Sequence, residues 1–270
     1  MYRSSLFGKS VIVLAVLGTV FTVASASAAA VDISSAFNVD FIATSTTEDG
    51  QGAGSSNSLF ASQSLVDSQT TGAPDNRGFP DSLSLSDGTH TFALGPYSDG
   101  LGGNANNMIA RGLPSSSYGG AGTTATVDIA NAAYDDLTPL FFWSSWGSSG
   151  QDASFTVNYT TGADDVFVWD TADFGSGGNG TAVLGKINRY TGSTMTVEAS
   201  SKRNIFKQTF DVDEGRLVDT ITFGPGVAAD SGGNNGYYGV FAVDGTVIPE
   251  PASLVLLALG GLSLLGRRSS

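Results

Sequence analysis

The sequence of 270 residues contains no cysteine and a single histidine, His90. The absence of cysteine excludes disulfide bonds, thiolate metal ligands and cysteine nucleophiles. One histidine without cysteine cannot supply the usual ligands of a zinc site. A serine–histidine–aspartate triad would have to use His90, and the chain has no G-x-S-x-G motif to present its serine. Because His90 precedes a short strand-like segment, we interpret it as an ordinary surface or edge residue.

Basic residues are also scarce, with 12 lysines and arginines against 25 acidic residues. Four of the basic residues and only one of the acidic residues lie in the two end segments, so the body between them carries a charge of about −16. Such a surface repels phosphate backbones, and nucleic acids are therefore not expected as partners. It suits an extracellular protein and one that binds divalent cations.

The first 30 residues have the organisation of a secretory signal peptide. The positive start and the apolar stretch after it are Arg3, Lys9 and residues 11–23. Two small-x-small cleavage sites follow, one running from Ala26 to Ala28 and the other from Ala28 to Ala30. Because the apolar stretch is short for a membrane span of about 20 residues, we expect cleavage rather than a retained anchor. The mature protein should lack the residues before about Val31.

The C-terminal segment, residues 248–270, has three parts in a fixed order. A Pro-Glu-Pro sequence comes first, an apolar run at residues 254–265 follows, and a basic pair comes last; the polar parts are Pro249, Glu250, Pro251, Arg267 and Arg268. This order resembles the PEP-CTERM sorting signal of Gram-negative bacteria. The resemblance implies export, recognition by an exosortase, which is a membrane protease-transferase, and a host that makes exopolysaccharide.

Physical chemistry agrees with a processing role for this tail. Prolines resist helix continuation, so the chain before the apolar run is expected to be extended and open to an enzyme. The leucine-rich run favours a short hydrophobic helix in the bilayer, with the basic pair held on the cytoplasmic side. Because the run is short for a full span and contains Gly260 and Gly261, we expect transient anchoring in the inner membrane. A GPI signal is the nearest alternative, and the terminal arginines argue against it.

The body, residues 31–247, is predicted to be one all-β domain with β structure throughout. Segments rich in valine, threonine, phenylalanine and tyrosine alternate apolar and polar residues, which indicates half-buried strands. Clusters of glycine, asparagine, serine and aspartate separate them. Examples of the strand segments are residues 37–41, 155–159, 194–199, 205–212, 218–223 and 237–243. About a dozen such segments favour a β-sandwich or jelly roll, flanked by the N-terminal signal helix and the C-terminal hydrophobic helix.

Several stretches of the body resemble exported jelly-roll modules that are similar to galactose-binding-like domains. They are residues 78–81 with 92–97, residues 134–137 with 141–145 and 155–162, and residues 219–223 with 240–243. The resemblance implies a jelly-roll fold in a protein that accompanies glycans or the cell surface. Modules of this kind often hold one structural calcium ion.

Calcium prefers oxygen ligands from carboxylates, amides and backbone carbonyls. The loop at residues 99–106 offers Asp99, Asn104 and Asn106 on a glycine-rich backbone, so we predict a calcium site there. Residues 211–215 are a second candidate, because they look like half of an EF-hand. Their glycine comes one position early, however, and no glutamate ends the loop.

Aromatic rings that reach solvent can stack on the C–H faces of sugars. Trp146 and Tyr118 lie near glycine- and serine-rich segments and are the predicted glycan contacts. Trp143 lies in an apolar run and is predicted to belong to the core instead.

Signatures of catalysis are weak. Neighbouring acids occur at residues 135–136, 164–165 and 211–214, but a glycosidase needs two carboxylates facing each other about 5–10 Å apart. Adjacent acids in turns usually stay solvated. Residues 175–180 match G-x-G-x-x-G, yet the helix that a dinucleotide site requires does not follow them.

The sequence therefore predicts a non-catalytic protein that is exported from a Gram-negative bacterium and sorted to the cell surface or the extracellular matrix of a biofilm. Its expected partners are the export machinery, an exosortase and exopolysaccharide, and calcium is the one expected cofactor. Two alternatives stay open: a secreted polysaccharide-active enzyme, either a glycosidase or a lyase, and a structural surface protein without a ligand.

Overall fold

The computed structural model of the chain describes residues 27–45, 58–69, 76–97, 106–112, 124–144, 151–171, 181–191, 196–228 and 237–249. The chain divides into two compact units. One unit consists of Met1–Ser27 and Ile248–Ser270, of which only residues 27, 248 and 249 are described. The other unit, Ala28–Val247, is the body. The predicted signal helix and hydrophobic tail helix lie outside the described residues.

Strands account for most of the described body, so the prediction of a predominantly β protein is confirmed at this level. The elements in chain order are β1 (Ser27–Val31), a 3-10 turn (Ser34–Ala36), β2 (Ile42–Ala43), β3 (Ser58–Ala61), α1 (Gln63–Gln69), β4 (Ser84–Ser86), β5 (Thr91–Ala93), β6 (Ile109–Gly112), β7 (Ala125–Ser144), β8 (Gln151–Tyr159), β9 (Asp165–Thr171), β10 (Thr181–Thr191), β11 (Thr196–Lys207), β12 (Phe210–Asp211), β13 (Val218–Ala228) and β14 (Tyr237–Ile248). In the part of the chain described, no helix is long and apolar enough to span a membrane.

The prediction of β structure throughout the body is wrong at α1, a helix of seven residues. Its first turn is capped by Ser62, whose Oγ accepts the backbone N–H of Leu65 at 3.3 Å. Only Leu65 and Val66 of this helix are buried, so two turns leave too short an apolar stripe to show in the sequence. The chain at Gly78 passes so close to the start of α1 that a Cβ there would lie 2.5 Å from the backbone of Ser62.

The strands form one 12-stranded sheet and a separate β4–β5 hairpin. The main path of the sheet is β2-β3-β10-β11-β7-β13-β8-β9, with β12 and β14 also paired to β7, and β1 and β6 paired to β14. The first half of β7 pairs with β13, so that Thr126 lies opposite Thr222. Its second half pairs with β11, so that Phe141 lies opposite Phe206. The 20-residue strand β7 therefore joins two groups of strands.

Alternation along β7 places its side chains in two different cores. Leu140 and Phe142 belong to a first cluster of buried apolar residues, and Phe141 and Trp143 belong to a second one. This is the period-two pattern of a strand that is buried on both faces. Trp143 is 1% exposed, which confirms its assignment to the core.

The second cluster packs the two groups of strands against each other. It contains Val127 from the first half of β7 and Phe155 from β8, together with Trp143 from the second half of β7 and Tyr238 from β14. Because both halves of β7 contribute to one core, the sheet folds over this cluster. The first cluster covers the opposite face of the second half of β7.

Candidate functional site

One face of β7 packs against the first cluster, and towards the middle of the strand this face changes from apolar to polar. Leu140 and Phe142 line this face of the strand, and the next two side chains on it, Thr138 and Asp136, are polar. The polar residues that gather here are Asp87, His90, Asp136, Thr138, Lys207 and Asp244. We call these six residues the sheet-end cluster.

The β4–β5 hairpin positions the first two members of this cluster. The carboxylate of Asp87 accepts the backbone N–H groups of Thr89 at 2.9 Å and of His90 at 2.8 Å. Gly88 sits between them with a φ of +92°, a conformation that favours glycine. The turn thus aims both the carboxylate and the imidazole at the sheet.

His90 is 6% exposed, so its interpretation as a surface or edge residue is wrong. The hairpin folds over the sheet, and the imidazole lies near Phe92 with ring centroids 6.0 Å apart. Its Nδ1 lies 2.8 Å from the Lys207 ammonium, and its Nε2 lies 3.2 Å from Oγ1 of Thr138. Because an ammonium can only donate, Nδ1 is the acceptor and Nε2 carries the hydrogen that Thr138 accepts.

Lys207 also forms an ion pair with Asp87. The two side chains are 15% and 16% exposed, so this pair is largely shielded from water. Burial alone would raise the pKa of Asp87, but the His90 N–H, the Lys207 ammonium and the Thr89 N–H outweigh it and hold that pKa well below its usual value. The Thr138 hydroxyl in turn donates a hydrogen bond to Oγ1 of Thr209 at 2.9 Å.

Two carboxylates of the cluster are less well satisfied. Asp244 is 1% exposed and its Oδ2 accepts the Thr91 N–H at 3.2 Å. Its Oδ1 is buried and has no hydrogen-bond partner within the described ranges. Oδ2 of Asp136 accepts a hydrogen bond from the Thr246 hydroxyl at 3.1 Å. Its Oδ1 is likewise buried, with no partner among the residues that the structure describes. Burial raises the pKa of Asp244, and the nearby charge of Asp136 raises it further.

These contacts limit the chemistry that the cluster can perform. Both ring nitrogens of His90 are engaged, so the histidine has no free nitrogen to act as a general base. Within the described ranges, no group of three or more histidine, aspartate or glutamate side chains could hold a metal ion.

We expect Asp244→Asn to raise the free energy of unfolding at pH 7 by on the order of 1 kcal/mol. When folding raises the pKa of a carboxyl group, that group lowers the free energy of unfolding as the pH rises above its unfolded pKa of about 3.9. Asparagine cannot ionise, yet it can still accept the Thr91 N–H. The gain should therefore shrink towards pH 4.

Urea unfolding at pH 7 and pH 4 measures this effect, with Asp211→Asn on the exposed side of β12 as the matched control. The control should change stability little at either pH. A loss of stability in Asp244→Asn at pH 7 would show that the native carboxylate is charged and stabilising.

A second polar cluster joins the turn after β8 to the segment before β13. The Arg216 guanidinium lies over the Tyr159 ring, with Cζ 3.6 Å from the ring centroid. Its Nε donates to Asp213 at 2.7 Å, while the Tyr159 hydroxyl donates to Asp165 at 2.5 Å. Burial and the hydrogen bond to Asp165 raise the pKa of Tyr159 to about 12. Acids from two of the predicted carboxylate groups are thus held by an arginine and a tyrosine, which is a structural role.

Most residues of the predicted calcium and glycan sites lie outside the described residues; these are Asp99, Asn104, Tyr118 and Trp146. Asn106 is described and exposed, and its amide donates to the Phe37 carbonyl at 3.5 Å. The loop that resembles half of an EF-hand is described, but Asp213 in it accepts Arg216 and the backbone N–H of Gly215. The structure brings none of these residues together around a common point within its described ranges.

The predicted processing sites fall at the margins of the described chain. Ala28 and Ala30 lie in β1, which pairs with β14, and both are exposed. Pro249 follows the end of β14 directly and is half-buried. The other predicted processing residues lie outside the described residues; they are Ala26, Glu250, Pro251, Arg267 and Arg268.

Sequence reasoning missed the sheet-end cluster, although two of its members left a local signal. Lys207 follows the buried pair Ile205 and Phe206 in β11, and Asp244 directly follows the buried Val243 in β14. A charged residue that follows buried residues within a strand is itself expected to be buried and to need a partner. The partners lie far away in the sequence, so this local pattern does not identify them.

A scan against models of protein families finds no match to this chain, and a search of curated proteins finds none either. The function is therefore inferred from the motifs in the sequence and from the geometry of the described residues.

Proposed function

We propose that this protein is exported from a Gram-negative bacterium, processed by an exosortase at its C-terminal tail, and kept at the cell surface or in the extracellular matrix. There it would associate with exopolysaccharide as a non-catalytic β-sandwich, with a jelly-roll topology. The observation that carries the proposal is the order of the tail: Pro-Glu-Pro, an apolar run and a pair of arginines. The predominantly β body is compatible with it.

The position of β14 supports processing in the tail. Val240, Phe241 and Val243 of this strand are buried in the two cores, and Pro249 follows the strand directly. Cleavage beyond Pro249 would remove no described core residue. The fixed φ of proline and its missing N–H also favour an end to strand pairing at this point.

The pairing of β1 with β14 favours the earlier of the two signal cleavage sites. Cleavage after Ala28 would leave residues 29–31 in β1, including the buried Val31. Cleavage after Ala30 would leave Val31 as the first residue and remove most of the strand. The mass of the mature N-terminus distinguishes the two sites.

A non-catalytic role is supported by the state of the titratable groups. His90 has both ring nitrogens bonded within the sheet-end cluster, and Asp87 is neutralised by Lys207. Asp165 and Asp213 are held by Tyr159 and Arg216. No pair of carboxylates in this set is free to act as acid and nucleophile on a glycosidic bond.

Replacing Pro249, Glu250 and Pro251 together by alanine should abolish processing of the tail. In an exosortase-bearing Gram-negative host, the native protein should reach the surface without its C-terminal arginines, whereas the triple variant should stay full-length in the inner membrane. Cell fractionation and mass spectrometry of the C-terminus measure both properties.

The matched control is Arg267→Lys with Arg268→Lys, which keeps both positive charges and should be processed normally. Surface protein that retains an intact tail, or a triple variant that is processed as well as the native protein, would refute the proposed sorting.

A further inference from the structure

Two buried nitrogen donors, away from the sheet-end cluster and near the last residues of β6 and β7, have no acceptor among the described residues. Arg111 in β6 is 7% exposed, and Trp143 in β7 is 1% exposed. One terminal nitrogen of Arg111 donates to the Ala110 carbonyl at 2.8 Å. Arg111 Nε and Trp143 Nε1 are both buried without a hydrogen-bond partner in the part of the chain that the structure describes.

Strand β14 brings the two donors near each other. Tyr238 lies directly opposite Arg111 across the β6–β14 pair, and its ring centroid is 5.1 Å from that of Trp143. The contacts of β14 with β7 also run antiparallel, because Thr246 bonds to Asp136 while Tyr238 packs on Trp143. Strands β6 and β7 therefore end at the same end of the sheet, and Arg111 and Trp143 are both neighbours of Tyr238.

Among the described residues, the Tyr238 hydroxyl is not a hydrogen-bond acceptor for Arg111 Nε or Trp143 Nε1. The hydroxyl is buried and itself donates to the Gly224 carbonyl. Both donors beside Tyr238 therefore still need an acceptor from outside the described residues.

The positive charge of Arg111 also lacks a counterion in the described chain. Lys207, Arg189 and Arg216 each form an ion pair with a carboxylate, whereas Arg111 forms none with any described residue. Burial lowers the pKa of Arg111. Burying a charge without a partner destabilises the folded protein, and each unsatisfied donor adds to that destabilisation. The chain has 25 acidic residues, and none of those that the structure describes pairs with Arg111, which favours an acceptor that comes from outside.

We infer that Arg111 and Trp143 bind the carboxylate of an acidic sugar, so that the exopolysaccharide ligand is one that contains uronic acid units. A guanidinium presents a planar fork that matches a carboxylate, and an indole N–H adds one more donor. One cation and one neutral donor suit a monoanion better than a doubly charged phosphate. This substrate class rests on the proposed association with exopolysaccharide.

The test follows the indole signals of the processed, ¹⁵N-labelled protein by NMR. The chain has three tryptophans, and Trp143→Phe identifies the signal of Trp143 by its loss. Oligogalacturonate should shift the Trp143 indole N–H and the Arg111 Nε–H in a saturable way. Neutral cello-oligosaccharides should leave both signals in place, and inorganic phosphate should shift them much less than the uronate.

Arg111→Lys keeps the charge but removes the planar fork and should weaken oligogalacturonate binding by about tenfold or more. Trp143→Phe keeps an aromatic ring without the donor and provides a second, independent variant. Thermal unfolding of both variants shows whether each still folds. The NMR shifts in the native protein test the inference even if a variant does not fold.

The possible outcomes separate this inference from the proposed function. Equal shifts with phosphate and uronate, or no shift with either, would overturn the assignment to acidic sugars. Binding of the host exopolysaccharide that is unchanged in a folded Arg111→Lys would overturn it as well, and the proposed function would stand. Uronate binding at these two donors in a protein whose tail is never processed would support the site and refute the proposed sorting.

Discussion

Replacing Lys207 by methionine should lower the free energy of unfolding at pH 7 by about 3–5 kcal/mol, because a largely buried carboxylate then loses its only cation among the described residues. The same change removes the hydrogen bond from the ammonium to His90 Nδ1, which is 2.8 Å long. Methionine fills a similar volume, so lost packing contributes little. The loss should come from the charge left on Asp87.

The pH dependence of this loss follows from the lowered pKa of Asp87. A carboxyl group with a lowered folded pKa contributes stability that is present above its unfolded pKa of about 3.9 and is lost as the pH falls through the folded value. The difference between Lys207→Met and the native protein should therefore be full at pH 7 and shrink below about pH 4. Denaturant unfolding across this range measures it.

Two further variants make the test specific. Asp87→Asn with Lys207→Met removes both charges and should recover part of the stability that Lys207→Met loses. Arg189→Met is the matched control, because the Arg189–Glu198 pair is 3.9 Å apart with side chains 22% and 31% exposed. Such a pair contributes less than about 1 kcal/mol. An equal loss in both single variants would mean that burial of the Lys207 pair does not matter.

Replacing Phe60 by alanine should cost about 3–5 kcal/mol, the range observed when a large aromatic side chain is deleted from a packed core. The Phe60 ring is 2% exposed and lies within 6.0 Å, between ring centroids, of four other phenylalanines. They are Phe41, Phe79, Phe142 and Phe241. These rings come from different parts of the chain, so they cannot close the cavity without moving several strands.

Phe167→Ala on β9 is the matched control for this cavity. Phe167 is only partly buried against the second cluster, with its ring 4.9 Å from that of Phe210. Its loss should cost roughly 1–2 kcal/mol, because solvent can reach the space it leaves. Both values come from urea unfolding with fluorescence detection. A cost for Phe60→Ala no greater than for Phe167→Ala would show that the first cluster is loosely packed.

The strands were predictable because their pattern is local. Alternation of apolar and polar residues marks β8 and β13, and an unbroken apolar run marks the second half of β7, where Phe142 and Trp143 face different cores. Successive side chains of a strand point to opposite faces of the sheet, so the burial of each face shows directly in the order of residues along the chain. The helix α1 escaped because it buries only two side chains.

The residues of the candidate sites were less predictable, because the role of each one depends on a partner that is distant in the sequence. Asp87 meets Lys207, and Arg111 meets Tyr238, across more than a hundred residues of sequence in each case. His90 showed nothing in its neighbours to suggest burial, since the side chains that bury it lie on β7 and β11. The tail motif and the signal peptide remain predictions from the sequence.

The sequence by itself determined the predominance of β structure, the acidic charge, and the lack of the cysteines and histidines that disulfides and the usual zinc sites need. Each of these depends on composition or on the period of a short segment. Only the tertiary structure decided that Lys207 would neutralise Asp87 and that Arg111 would be buried without a counterion among the described residues. The physical reason is that strand order and register are set by the total free energy of many distant contacts, and no single segment encodes which partner it will meet.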